Sequence, residues 1–302
     1  MKKNGAQTPF FLYNSVAFFK KNRYNESRRN TVLELISDKT QNLKEFTENN
    51  YAQASFFWSY LLKNKEIKVN GKRVVSDMLL QAGDTVQYYL TQKQSEKPAF
   101  YTVYEDENIL IADKESAVNS EAVFASLCRE RECYFIHRLD RNTRGLLAFA
   151  LNRKAEQALL TAFKDKRVEK RYHALCFGAF TKPAGVLTAY LKKHAEKSLV
   201  YIYDTPANGA ERIITEYKVL AQSDGLTKVE VVLHTGKTHQ IRAHLAHIGC
   251  PIVGDMKYGN SAQNKAKNAT RQCLVAKSLR FDLDGEFAYL NDLKWSSRFE
   301  TE

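Results

Sequence analysis

Apolar residues in this chain recur at two distinct spacings, and the changes between them mark out its elements. Between residues 43 and 90, Phe56, Phe57, Tyr60 and Leu61 fall at helical intervals and predict one apolar helix face. The pattern then alternates at Ile67 and Val69, just before Asn70-Gly71, a pair that favours a tight hairpin turn. Gly83-Asp84 turns the chain into another alternating strand through Val86, Tyr88 and Leu90. Residues 91–99, TQKQSEKPA, are polar, contain a proline and have no apolar face, which predicts a linker.

Beyond residue 100 the pattern is mixed. Short strands are predicted over 109–112, 145–151 and 170–178, and helices over 121–132 and 154–163. Strands 213–220 and 227–233 form a hairpin turning at Asp224-Gly225. In THQIRAHLAHIG, Ile241, Leu245 and Ile248 share a helix face, with Thr238 predicted to cap the start and Gly249 and Pro251 to end it. Strands joined largely by hairpins, with few helices, predict an α+β domain and not a parallel doubly wound one. The expected division is an extension over 1–30, a small α+β module over 31–90, a linker over 91–99 and a larger domain over 100–302.

Composition narrows the partners. With 302 residues and 44% hydrophobic content the chain can fill a substantial core, and no run approaches the roughly 20 apolar residues of a membrane span. FFLYNSVAFF, residues 10–19, is interrupted by Asn14 and Ser15 and lacks a small-residue cleavage site, so it predicts a docked helix or strand and not a secretion signal. Five cysteines without Cys-x-x-Cys spacing argue against a disulfide framework or zinc ribbon and fit the cytoplasm. A net charge of +12 favours polyanionic partners, nucleic acid foremost.

Several motifs fail when tested. HRLDRNTRG has Leu139 before Asp140 where a kinase loop needs the aspartate directly after arginine. Gly236-Lys237-Thr238 lacks the earlier P-loop glycine, since position 231 is Val231. His244 and His247 have no third ligand at suitable spacing, so no metal site is expected. Asp140, between Arg138 and Arg141, is by itself more often a structural ion pair than a catalyst, and Tyr172 is by default a core aromatic. His239 and Arg242 at a helix start could hold an anion, either a phosphate or a carboxylate from elsewhere in the chain, or could form a solvated basic face.

The order of three segments is more specific than any one residue. HRLDRNTRGLL, KRYHALCFG and TGKTHQIRAHLAHIGCPIVGDMKYG together closely resemble the RluA-type pseudouridine synthases over roughly residues 100–281. IKVNGKRV and LQAGDTV resemble the small S4-like, ribosomal-protein-type RNA-binding module often placed before that domain. Arg144 stands where the family usually has serine, Lys114-Glu115-Ser116-Ala117 replaces a Lys-Pro-x-Gly segment, and Leu274-Val275-Ala276 replaces Leu-His-Ala.

The resemblance implies a catalytic domain with a mixed, mainly antiparallel sheet, and isomerisation of uridine in RNA without a cofactor. It implies catalytic roles for Asp140, Tyr172 and Arg242: a catalytic carboxylate, an aromatic packed on the flipped base, and a salt-bridge partner for the aspartate. It places Arg138 in base flipping, with His137, Thr143, Lys237, His239 and Gln240 among the RNA-binding or base-flipping residues. Ribosomal RNA, most of all that of the large subunit, is the expected substrate of a monomeric enzyme. Transfer RNA, or noncatalytic RNA binding in ribosome assembly, are the alternatives.

Overall fold

Alternating apolar positions pair the N-terminal strands into a five-stranded antiparallel sheet. Its order is Phe19–Asn25, Asn30–Ile36, Thr85–Thr91, Ile67–Val69 and Lys72–Arg73 in the computed structural model, which describes residues 19–25, 30–194 and 198–301. The sheet therefore begins inside the stretch expected to be an extension, while residues 10–18 of the apolar segment lie outside the described residues. Leu33, Leu35, Val86, Tyr88 and Leu90 turn inward onto Leu43, Phe46 and Leu61. The Tyr88 hydroxyl, fully buried, meets Thr47 Oγ1 at 2.8 Å, so its polar end is satisfied.

The single helix expected around Phe56 to Leu61 is two short ones, Ala52–Phe56 and Trp58–Lys63, broken at Phe57. The apolar positions serve different neighbours. Leu61 is buried in the module core, whereas Ala52 and Phe56 pack into the core of the following domain. Polar contacts reinforce this junction: Asn119 donates to Asn49 at 2.8 Å and Arg129 donates to the Asn50 carbonyl at 3.1 Å. The expected linker also holds structure. Thr91 and Gln94 form a reciprocal capping box on the one-turn helix Gln92–Ser95, and Ala99 is buried.

The larger sheet has eleven strands, nine of them in the order Leu199–Tyr203, Ala184–His194, Glu211–Ser223, Leu226–Leu233, Val168–Phe177, Leu274–Phe281, Arg144–Ala150, Ile109–Lys114 and Phe100–Glu105. Tyr134–Phe135 pairs with Arg144–Ala150, and Trp295–Ser296 with Leu274–Phe281. Among the described residues every pairing in this sheet is antiparallel except that between Arg144–Ala150 and Leu274–Phe281, so the sheet is mixed and mainly antiparallel, as expected.

Arg144–Ala150 is buried along its whole length because both faces of the sheet are covered there. Leu147 and Phe149 share a core with Val123 and Leu127 of the helix Ser120–Cys128. Leu146 and Ala148 face Ala155 and Leu159 of the helix Arg153–Lys164. Arg144, which departs from the usual serine, reaches the chain's C-terminal segment: its Nη2 donates to the Glu300 carbonyl at 2.5 Å, and the guanidinium lies 4.7 Å from the Phe299 ring centre.

Gly145 sits at the parallel junction with φ +114°, and a Cβ there would stand 2.3 Å from the Ala276 carbonyl oxygen. Both the backbone angle and the close approach demand glycine. Gly145→Ala is expected to lower stability by about 2 kcal/mol or more, read as a shift in the urea unfolding midpoint.

Candidate active site

The loop between Tyr134–Phe135 and Arg144–Ala150 carries Asp140, and its backbone is held from three directions. Ser120 Oγ accepts from Leu139 N at 2.9 Å and donates to Leu139 O at 3.1 Å. Ser116 Oγ donates to the Asn142 carbonyl at 3.2 Å. The Lys114 ammonium, fully buried, donates to the carbonyls of Glu115, Val118 and Arg141 at 2.8–3.1 Å. Burial pushes Lys114 down to about 7, with Asp140 and Glu115 opposing that shift. The Arg141 side chain crosses to the N-terminal module, 3.3 Å from Ser55 Oγ and 3.6 Å from Glu48. Loop position is thus set by residues far away in sequence. Lys114 and Ser116 belong to the segment noted only as a departure from the usual motif, and their role was missed there.

The helix Gln240–His247 supplies the facing side chains. Arg242 donates from Nη1 to Asp140 Oδ2 at 2.9 Å, and from Nε and Nη2 to the two oxygens of Asp255 at 2.7 and 3.0 Å. Arg242 and Asp255 are both buried, whereas Asp140 remains partly open to the cleft. Burial raises the Asp255 carboxyl, but the Arg242 hydrogen bonds and charge, with the N–H groups of Lys257 and Tyr258, outweigh it and hold Asp255 below its usual value. Of the alternatives open at this helix start, the structure has carboxylates of the chain itself on Arg242.

His239 precedes the helix in the left-handed region, φ 54°, and the cap expected from Thr238 does not form. The His239 ring turns instead toward Asp140, with Nε2 3.9 Å from Oδ2. Tyr258 accepts from Val200 N at 2.9 Å, and its hydroxyl lies 2.9 Å from His239 Nδ1. Burial lowers the His239 value and keeps the ring neutral.

Other expected contacts find different places. Gln240 donates both amide hydrogens, to Ile214 O and Thr215 Oγ1, and accepts from Thr235 and Lys237 N, so its amide is fully used inside the fold. His137 is half-buried, accepts from Ala148 N at 3.0 Å and stacks on Phe163 at 4.6 Å; its partial desolvation holds it neutral. Thr143 is buried and accepts from Gln272 at 3.0 Å. Lys237 pairs with Glu211. Arg138 is largely exposed and pairs with Glu121 at 3.1 Å. His244 is bonded to Thr215 and His247 to Asp204, while Ile248, expected on the buried stripe, is 38% exposed.

Asp140, Tyr172 and Arg242 line one cleft of about 790 Å³. Burial, and then the Asp140 charge, push the Tyr172 hydroxyl above its usual range. Tyr172 therefore presents a neutral phenol and an aromatic face, not a ready phenolate base.

Residues 94–247, just over half of the chain, match the family model of the RNA pseudouridylate synthases. The chain belongs to the RNA pseudouridylate synthase family. It is a pseudouridine synthase, an isomerase acting on uridine in RNA. It is 31% identical over 229 residues to the ribosomal large subunit pseudouridine synthase C of Rickettsia felis, covering 66% of this chain and 75% of that protein. The synonymous protein of Vibrio cholerae is 32% identical over 226 residues, covering 66% and 70%. The solved structure of human RNA pseudouridylate synthase domain containing 1 superposes with a TM-score of 0.54 at 26% identity, covering 61% of this chain and 79% of the human one.

Asp255→Asn leaves Arg242 buried without its bidentate partner, and is expected to cost roughly 3–5 kcal/mol at neutral pH. A carboxylate depressed in the folded state stabilises the protein above its unfolded value, about 3.9, and loses that contribution as pH falls toward the folded value. The gap between wild type and Asp255→Asn should therefore narrow below about pH 4. Urea midpoints measured across that range test it.

Proposed function

We propose that this pseudouridine synthase acts on large-subunit ribosomal RNA and that Asp140 is its catalytic carboxylate. One observation carries the second part: Asp140 Oδ2 is held at 2.9 Å by a buried Arg242 while the carboxylate still faces a cleft walled by Tyr172. The first part is supported by the names of the bacterial relatives.

Isomerisation breaks the bond from the ribose anomeric carbon to N1, turns the base and joins the sugar to C5. C5 loses a proton and N1 gains one, so no external donor is consumed. A single carboxylate suffices because no water adds, in contrast to the paired carboxylates of glycosidases. Attack on the sugar, attack on the base and removal of a ribose proton are three routes open to the same group. Arg242 positions Asp140, and Asp255 positions Arg242. Tyr172 packs against the flipped base, whose stacking offsets part of the few kcal/mol needed to extrude it. Arg138, exposed at the rim, enters the helix that the uridine leaves.

The N-terminal module serves as an S4-like RNA-binding unit, with Lys63, Lys65, Lys72 and Arg73 on its exposed side. The enzyme is read as a monomer acting in the cytoplasm, where ribosomal RNA is found. Among the described residues no helix is long and apolar enough to cross a membrane.

Tritium release from RNA labelled at uridine C5 tests the reading. Wild type should release tritium from large-subunit ribosomal transcripts and not from transfer RNA, and Asp140→Asn should reduce release by roughly a thousandfold or more while RNA affinity is kept. Release from transfer RNA alone would move the substrate, and undiminished release by Asp140→Asn would remove the catalyst. No release from any RNA, with tight binding, would favour an assembly factor.

A further inference from the structure

The strand Val168–Phe177 presents Val168, Lys170 and Tyr172 to the active-site cleft, while Arg171 points to the opposite face and pairs with Glu230 at 2.7 Å. Lys170 makes no ion pair or hydrogen bond among the described residues. Its ammonium lies 4.9 Å from the Phe163 ring centre, and the other side chain stacked on that ring, His137, is neutral. Burial pushes Lys170 down to about 8, with no carboxylate opposing the shift. Asp140, Glu169 and Asp282 line the cleft; Asp140 is held by Arg242, and Glu169 pairs with Arg171 and Arg280.

A half-buried ammonium facing an open cleft and paired only with a ring face favours an anionic ligand. Lysine acts on phosphate as a point charge, without the planar match that arginine needs. Residues two apart on a strand are separated by about 6–7 Å, the scale of one nucleotide. A uridine with its base on Tyr172 and its sugar at Asp140 would therefore bring a neighbouring phosphate to Lys170. We propose that Lys170 is the seat of one RNA backbone phosphate adjoining the flipped uridine, a contact that registers the nucleotide in the cleft. The proposal rests on the reading of Asp140 and Tyr172 given above.

Binding is measured on the full chain carrying Asp140→Asn, which separates affinity from turnover, with the transcript that supports tritium release as probe. In that background Lys170→Met keeps the aliphatic stem over Phe163 and removes the charge, whereas Lys170→Arg keeps the charge. Lys170→Met should weaken binding and reduce the slope of log affinity against log salt by about 0.7–0.9, the loss of one phosphate contact, and Lys170→Arg should keep the slope. A second measurement does not depend on the variant folding. RNA carrying a neutral methylphosphonate on one or the other side of the target uridine should show the same slope loss with the Lys170 protein at one of the two positions. An unchanged slope in Lys170→Met, or no loss at either methylphosphonate, overturns the proposal. A loss of tritium release in Lys170→Met with Asp140 intact, at unchanged affinity and slope, would place Lys170 in the chemistry and also overturn it. Failure of the catalytic reading is distinct, because it appears as tritium release that survives Asp140→Asn.

Discussion

The site depends on one buried cation shared by two carboxylates. Arg242 is held from behind by both oxygens of Asp255 and uses its remaining nitrogen to fix Asp140. A lone buried guanidinium would be costly, and a lone flexible aspartate would have many orientations. Together they form a rigid relay in which Asp255 orients Arg242 and Arg242 orients Asp140. Asp255 is itself fixed by the N–H groups of Lys257 and Tyr258, so the relay ends in backbone and not in solvent.

The sheet makes the relay possible. Arg144–Ala150 and Leu274–Phe281 meet in the one parallel pairing, where Gly145 allows the backbones to approach, and the loop carrying Asp140 enters directly before it. The N-terminal module also contributes. Ala52 and Phe56 pack into the catalytic core, and Glu48 and Ser55 reach Arg141 beside Asp140, which makes the module a physical neighbour of the loop. The cleft itself joins an exposed rim at Arg138 to a desolvated interior, an arrangement suited to drawing one nucleotide out of a polyanion.

Much of this was legible in the sequence. Alternation located the strands around Ile67, Val86 and Ile213, Asn70-Gly71 and Asp224-Gly225 located their turns, and the ordered motifs named the family with Asp140, Tyr172 and Arg242 as candidates. These signals are local, because side-chain periodicity and turn chemistry are properties of a few adjacent residues. The helix around Phe56 was misread for a related reason: periodicity reports that positions are apolar, not that Leu61 and Phe56 serve two different cores.

What the sequence could not determine is which charges meet. Asp140, Arg242 and Asp255 are joined across a separation of 102 residues in one case and 13 in the other, and charge alone does not choose among 34 acidic and 46 basic side chains. Only folding decided that Gln240 is fully bonded within the protein while His239 turns to Asp140, and that Lys114 grips the loop from beneath. The pattern of apolar positions determines the elements because burial acts on every residue in turn. Partner choice among buried polar groups is decided by tertiary structure, since each must be satisfied by whatever the packed elements bring within hydrogen-bond reach.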